Sequence, residues 1–189
     1  MKKAKINDRA LVVDLLAGSF EDNLSVNYIV RQDNKRKASI RALMEYSFDV
    51  CWLFGDVWIG DDRKACALVL YPDQKKTTLK AIWLDIKLIF QAIGLGGITK
   101  TLNREAQIKK KQLQIPMAYL WFVGVSPLHQ HHGMGSKLLQ QVLADAQEKK
   151  LPVFLETSIP QNIAWYERFG FKVYDTLELG YTLYFLNNL

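Results

Sequence analysis

VGVSPLHQHHGMGSKLLQQVLADA, residues Val123 to Ala146, changes character part-way along. Its first residues continue MAYLWFVGV (Met117 to Val125), an apolar run of the kind buried in a sheet. From Gly133 a helix is expected to reach Lys150, with SPLHQHH as a tight connection. Strand, loop and helix in that order give the glycines a physical meaning. A helix N-terminus exposes about four unpaired backbone N–H groups and the positive end of the helix dipole. Glycine there lets a phosphate approach the backbone closely, so Gly133, Met134 and Gly135 read as an anion cradle.

Neither established glycine fingerprint fits, since GxGxxG is absent and Lys137 does not complete GxxxxGK[ST]. The motif is Gln130-x-x-Gly133-x-Gly135. All three histidines of the chain, His129, His131 and His132, adjoin it. Zinc needs ligands converging tetrahedrally, whereas neighbouring His131 and His132 diverge at a helix start with no Cys or acid interleaved, so no metal is expected. Two readings of the histidines stay open. They are loop residues whose backbone N–H groups matter more than their rings, or rings that strengthen a phosphate contact when protonated.

Working outward, LPVFLET (Leu151 to Thr157) predicts a short strand, Pro160 to Phe169 a short helix, and FKVYD with YTLYFLN a closing strand pair turning at Leu177 to Gly180. At the other end, Asn7 or Asp8 caps a helix to about Ala17 with Gly18 as its stop. A loop from Ser19 to Val30 follows. Asp33 caps a second helix through Phe48, in which Ile40, Leu43, Met44 and Ser47 recur at helical spacing. VCWLFGDVWI and KACALVLY flank GDDR and predict an antiparallel hairpin. From Thr77 a helix places Leu79, Ile82, Trp83, Ile86, Ile89, Phe90 and Ile93 within about 120° of arc, opposite Leu84 and Leu88. A helix apolar on two sides is covered on both or offers a partner surface, and burial is the expectation. IGLGG breaks it, and a lysine-rich helix runs from Ile98 to Gln112.

The decisive stretch, followed at a fitting distance by LETSIPQNIAWYERFGFKVY, resembles the GNAT superfamily of acyl-CoA-dependent N-acyltransferases. Their pyrophosphate loop has the form Arg or Gln, two residues, Gly, any residue, Gly or Ala. The resemblance is strong over Met117 to Tyr184 and loose before it. It implies an α/β (α+β) fold with a central mixed, mostly antiparallel twisted sheet flanked by helices, a single domain over 1–189, and an extra helical insert over 75–113.

The resemblance also implies roles. Backbone around Val123, Gly124 and Val125 would pair with the pantetheine arm and hold the acyl carbonyl. Gln130, His131, His132, Gly133, Met134, Gly135 and Ser136 would wrap the pyrophosphate, with Gln130 replacing the arginine of many relatives. Asn162 would hydrogen-bond pantetheine, unless it only caps its helix. Tyr166 matches the tyrosine that protonates the departing thiolate in many relatives, unless it is an aromatic packed between helix and sheet. MAYLWFVGV lacks the acid that many relatives carry there, which leaves Glu156 as the matched carboxylate for a general base or a structural acceptor. Acetyl-CoA is the implied cosubstrate, with a primary amine as acceptor, a small molecule more readily than a protein.

Composition agrees with this class. At 49% hydrophobic and 23% charged residues, the 189-residue chain has the balance of a globular protein. Cys51 and Cys66 form no CxxC and have no histidine nearby in sequence, so neither a disulfide framework nor a cysteine nucleophile is indicated, and a reducing, cytoplasmic setting fits. MKKAKINDRA does not read as a secretory signal, and no apolar run reaches the roughly 20 residues of a membrane span. The net charge of +6 is concentrated: Lys75 to Lys111 holds nine basic and two acidic residues, +7, leaving −1 elsewhere. No recognition motif supports nucleic acid. Two alternatives remain: a CoA-binding module without turnover, and an interaction protein acting through the basic segment.

Overall fold

The computed structural model describes residues 1–130 and 132–189. After a two-residue strand, β1 (Lys2–Lys3), comes α1 (Arg9–Ser19). Asp8 precedes α1 as expected, but Gly18 lies inside the helix and Phe20 caps it. The Ser19 hydroxyl, which donates to Leu15 O at 2.7 Å, carries the last turn past the glycine. The expected loop from Ser19 to Val30 contains α2 (Leu24–Ile29), started by the Asn23 side chain, which accepts from the Val26 N–H at 3.1 Å. A helix of 6 residues is too short for periodicity to reveal.

The next helix, α3 (Arg36–Phe54), runs well beyond Phe48, and the residues expected to open the hairpin, Val50 to Phe54, are its last turns. A short apolar run fits a buried helix as well as a strand. Here Phe48, Val50, Cys51 and Phe54 pack into one core. The chain passes straight into β2 (Gly55–Ile59), because Gly55 lets the backbones meet: a Cβ there would lie 2.0 Å from Val69 O. β2 and β3 (Ala65–Leu70) form the expected antiparallel pair.

The helix α4 (Leu79–Leu88), started by the Thr78 hydroxyl, continues into a π-helical turn at Ile89–Ile93. Contrary to the expected cover on both apolar sides, most of the wider arc is uncovered, with only Ile93 buried and Ile89 half-buried. Ala81 and Leu84 are buried, whereas Leu79, Ile82, Trp83, Ile86 and Phe90 are exposed. Polar anchors on α3 fix this rotation: Tyr46 donates to Asp85 Oδ1 at 2.7 Å, and Lys87 to Glu45 at 3.3 Å. After Gly94, α5 (Ile98–Lys111) leaves at a bend of 101°.

The remaining elements alternate as predicted: β4 (Ala118–Val125), α6 (Met134–Glu148), β5 (Val153–Thr157), α7 (Ile163–Glu167), β6 (Lys172–Glu178) and β7 (Thr182–Asn187). The seven strands order as β1-β2-β3-β4-β5-β7-β6, antiparallel except for β4 beside β5. Helices α1 and α3 cover one face through Phe122, Tyr119 and Trp121, and α6 covers the other through Ala118, Leu120, Val123 and Val125.

Strand β4 opens away from its parallel neighbour. It pairs with β3 from Tyr119 to Val125, skipping Trp121 in a bulge, yet among the described residues it pairs with β5 only at Ala118 and Tyr119. The two strands therefore diverge, and the outer part of β4 keeps unpaired backbone on that side. Gly124 faces α1, where a Cβ would sit 2.8 Å from Leu16 Cδ2 and 3.3 Å from Ser19 Oγ. Leu16 is fully buried. Gly124→Val is expected to cost about 2 kcal/mol by overpacking and to lower the thermal midpoint by roughly 4–8 °C; an unchanged midpoint would show that α1 yields.

Candidate active site

The loop after β4 is held by its backbone. The Ser126 N–H donates to Lys64 O at 2.8 Å, the His129 N–H to Ser126 O at 2.8 Å, and Gln130 Nε2 reaches Val125 O at 3.5 Å. Gly133 then adopts φ +73° and caps α6. No atom of the described residues lies within 4 Å of the place its Cβ would take, so conformation rather than space demands glycine. The first backbone bond of α6 runs from Lys137 N–H to Gly133 O. The N–H groups of Met134, Gly135 and Ser136 are thus left without intrahelical partners, and no acid occupies that turn. Ser136 Oγ accepts from Trp165 Nε1 at 3.1 Å, which ties the loop to α7.

A cleft of about 1500 Å³ starts at this loop. Gln130, Gly133, Met134, Gly135 and Ser136 line its first part, with Val123 and Val125 from the open edge of β4. Asn162 and Tyr166 line the same stretch, and Glu156 lines it farther on. Gly124 points to α1 instead, His132 is exposed outside the lining, and His131 lies outside the described residues. Among the described residues, no three His, Cys, Asp or Glu side chains converge.

Tyr166 is buried, and its hydroxyl has no hydrogen-bond partner among the described residues although the side chain faces the cleft. Burial pushes its phenol above the ordinary value, so it is protonated throughout the neutral range. Asn162 makes no cap hydrogen bond, which removes the simple capping role. Ser158, just past β5, carries a buried Oγ without a partner on the same wall.

Glu156 faces the other side of the sheet. Its Oε2 accepts from Tyr119 OH at 2.9 Å and its Oε1 from Gln112 Nε2 at 3.0 Å. Burial raises its carboxyl pKa, opposed by the charge of Arg104 and by these two donors. Burial works against the charge of Arg104 too, but Glu105, Tyr181 and Glu156 hold it cationic, and it donates to Ser25 Oγ at 2.6 Å. Tyr166 packs with Val153 and Leu155 on the α6 face, while Tyr119 packs on the α1 face. The gap between β4 and β5 is what lets one cleft touch both.

Residues 80–171 match the model of the acetyltransferase (GNAT) family. Over those residues the chain is similar to GNAT-family acetyltransferases. The fold extends over nearly all of it. A histone acetyltransferase HPA2-related acetyltransferase from Corynebacterium glutamicum superposes with a TM-score of 0.72 at 18% identity, covering 99% of this chain and 93% of that one. The C-terminal condensation domain of Ebony gives 0.69 at 10% identity, covering 98% and 96%. An N-acetyltransferase from Staphylococcus aureus gives 0.59 at 13% identity, covering 98% and 98%.

Both cysteines are buried, and burial pushes the thiol of Cys66 up to about 12 and that of Cys51 higher still. Neither lines the cleft. Sequence reasoning missed Tyr119, Gln112 and Arg104, which surround Glu156. One signal was present: Thr101, Arg104 and Ile108 share the buried side of α5, so an arginine stood on the inward stripe of a lysine-rich helix.

Proposed function

We propose that this protein transfers an acetyl or other short acyl group from acyl-CoA to the primary amine of a small molecule, by direct attack in a ternary complex. The observation that carries this reading is the single cleft joining the α6 N-terminus, the open edge of β4, Tyr166 and Glu156. Its parts fit an acyl-CoA. The free N–H groups of Met134, Gly135 and Ser136 meet the pyrophosphate, assisted by the helix dipole. The backbone of Val123 and Val125 and the amide of Asn162 meet the pantetheine arm, and the orphan Ser158 hydroxyl finds a polar partner in the same arm.

Acyl-CoA brings an activated thioester; the protein positions it and moves protons. Backbone N–H groups on the outer part of β4 stabilise charge developing on the thioester oxygen. The amine nitrogen bonds to the acyl carbon, the carbon–sulfur bond breaks, and the sulfur leaves with its electron pair. Glu156 accepts the proton that the amine gives up, directly or through a water. Tyr166 donates to the departing sulfur. Because burial makes the phenol a weaker acid, its hydrogen bond carries most of the stabilisation until the sulfur holds nearly full charge. Holding amine and thioester together supplies the rest.

The first test is thermal unfolding with acetyl-CoA. Ligand at about 100 times its dissociation constant adds roughly 2.7 kcal/mol, a shift of about 5–11 °C for a chain of this size. Gly133→Asp is expected to remove the shift, because a side chain in the left-handed region costs about 1–2 kcal/mol and the carboxylate repels phosphate. Thiol release across a panel of amines then reads turnover. An unchanged shift in Gly133→Asp would place the phosphate elsewhere.

A further inference from the structure

The outward side of α4 is an apolar stripe that none of the described residues covers. Leu79, Trp83 and Phe90 are 89%, 64% and 62% exposed, and Ile82 and Ile86 lie beside them at 44% and 41%. The spacing i, i+3, i+4, i+7 and i+11 makes them one continuous surface on the helix and its π turn. Large contiguous apolar surfaces of this kind mark interaction sites.

Charge decides among the occupants. Between Lys75 and Lys100 the chain has five lysines and one acid, Asp85, and Asp85 is engaged by Tyr46. Lys87 pairs with Glu45, and Lys100 lies 3.7 Å from the Tyr28 ring centroid. Lys75, Lys76 and Lys80 are exposed where the stripe begins, and they form no ion pair among the described residues. A second copy docked through a two-fold axis would bring this face against itself, adding three more lysines against one acid without an ion pair among the described residues, Asp73. Nucleic acid would answer the lysines and leave the apolar side chains in water. An anionic bilayer answers both, with lysines at the headgroups and Trp83 and Phe90 at the acyl boundary. No single helix of the described residues is long and apolar enough to cross a membrane, and the 101° bend sets α4 and α5 at a steep angle to each other.

From this face we infer that α4 docks the protein on anionic membrane surfaces, lying in the plane of the interface. The opposite side of the same segment, at Leu88, Ile89 and Ile93, lines the cleft, so docking places the cleft wall next to lipid.

The test is flotation of the full chain with phosphatidylcholine vesicles, alone or with about 30 mol % phosphatidylserine. Binding is expected only to the anionic vesicles. It is expected to weaken at least about tenfold in Trp83→Glu/Phe90→Glu, in Lys76→Gln/Lys80→Gln, and at about 0.5 M salt. The acetyl-CoA thermal shift of Trp83→Glu/Phe90→Glu should match the parent, which shows the variant folded and separates this inference from the acyl-transfer reading. Equal flotation of parent and variants overturns the proposal. So does absence of flotation, whether the chain then self-associates through Trp83 and Phe90 in sedimentation or is retained on an RNA homopolymer.

Discussion

Tyr166→Phe is expected to lower kcat about a hundred- to a thousandfold while the acetyl-CoA thermal shift stays intact. The separation follows from the hydroxyl's surroundings. It has no hydrogen-bond partner among the described residues, so its removal breaks no bond in the folded state, and the ring keeps its packing against Trp165 and Phe171. Stability should therefore hardly move. What disappears is the donor facing the sulfur as the carbon–sulfur bond opens, an interaction made only as charge develops; such losses appear in kcat rather than in ground-state binding. Single-turnover thiol release at saturating acyl-CoA and amine measures this step. A rate within about twofold of the parent would make Tyr166 a packing residue and leave the sulfur to be protonated by water.

What the sequence disclosed and what it hid divide along physical lines. The β4–loop–α6 unit was legible because period, turn chemistry and glycine placement all agree there, and its backbone follows from local preference. The end of α3 was not. VCWLF satisfies both periods, and only the tertiary fit, with Phe54 in the core and Gly55 against Val69, selects helix. The rotation of α4 was hidden for another reason. Hydrophobicity favoured burial of the wider arc, but Tyr46 and Glu45 on α3 hold Asp85 and Lys87, which turns Ala81 and Leu84 inward. Contacts between residues about 40 apart leave no trace in a helical wheel.

The candidate site shows the same division. Gln130, Gly133 and Gly135 announce themselves by local backbone geometry, and Asn162 and Tyr166 by their place in a short helix. The surroundings of Glu156 come from three distant segments: Tyr119 from β4, Gln112 from just beyond α5, and Arg104 from within it. A lysine-rich helix read alone is a solvated face, and only the fold shows that its inward stripe carries an arginine to the cleft and that the residue capping its end is a glutamine lining the same cleft.

That convergence makes Glu156→Gln the second large-effect substitution. Burial raises the Glu156 pKa above the ordinary 4.5, with Arg104, Gln112 and Tyr119 limiting the rise. A base works ionised. At pH above the raised pKa, kcat/KM sits on its plateau; as pH falls through it the carboxylate takes up a proton and the rate declines, at a higher pH than an ordinary glutamate would give. Glu156→Gln keeps an acceptor for Tyr119 but cannot take a proton, so kcat/KM is expected to fall about a hundredfold or more and the acidic limb to vanish. Two acceptors of different amine basicity separate the contributions: a limb from the acceptor's own titration moves with the amine, and one from Glu156 does not. Gln112→Leu, which removes a donor to the charged form while keeping the bulk, should move the enzyme's limb to higher pH. A Glu156→Gln enzyme within a few-fold of the parent, with its limb in place, would make the carboxylate a structural acceptor for Gln112 and Tyr119. Transfer would then rest on the proximity of a free amine to the thioester.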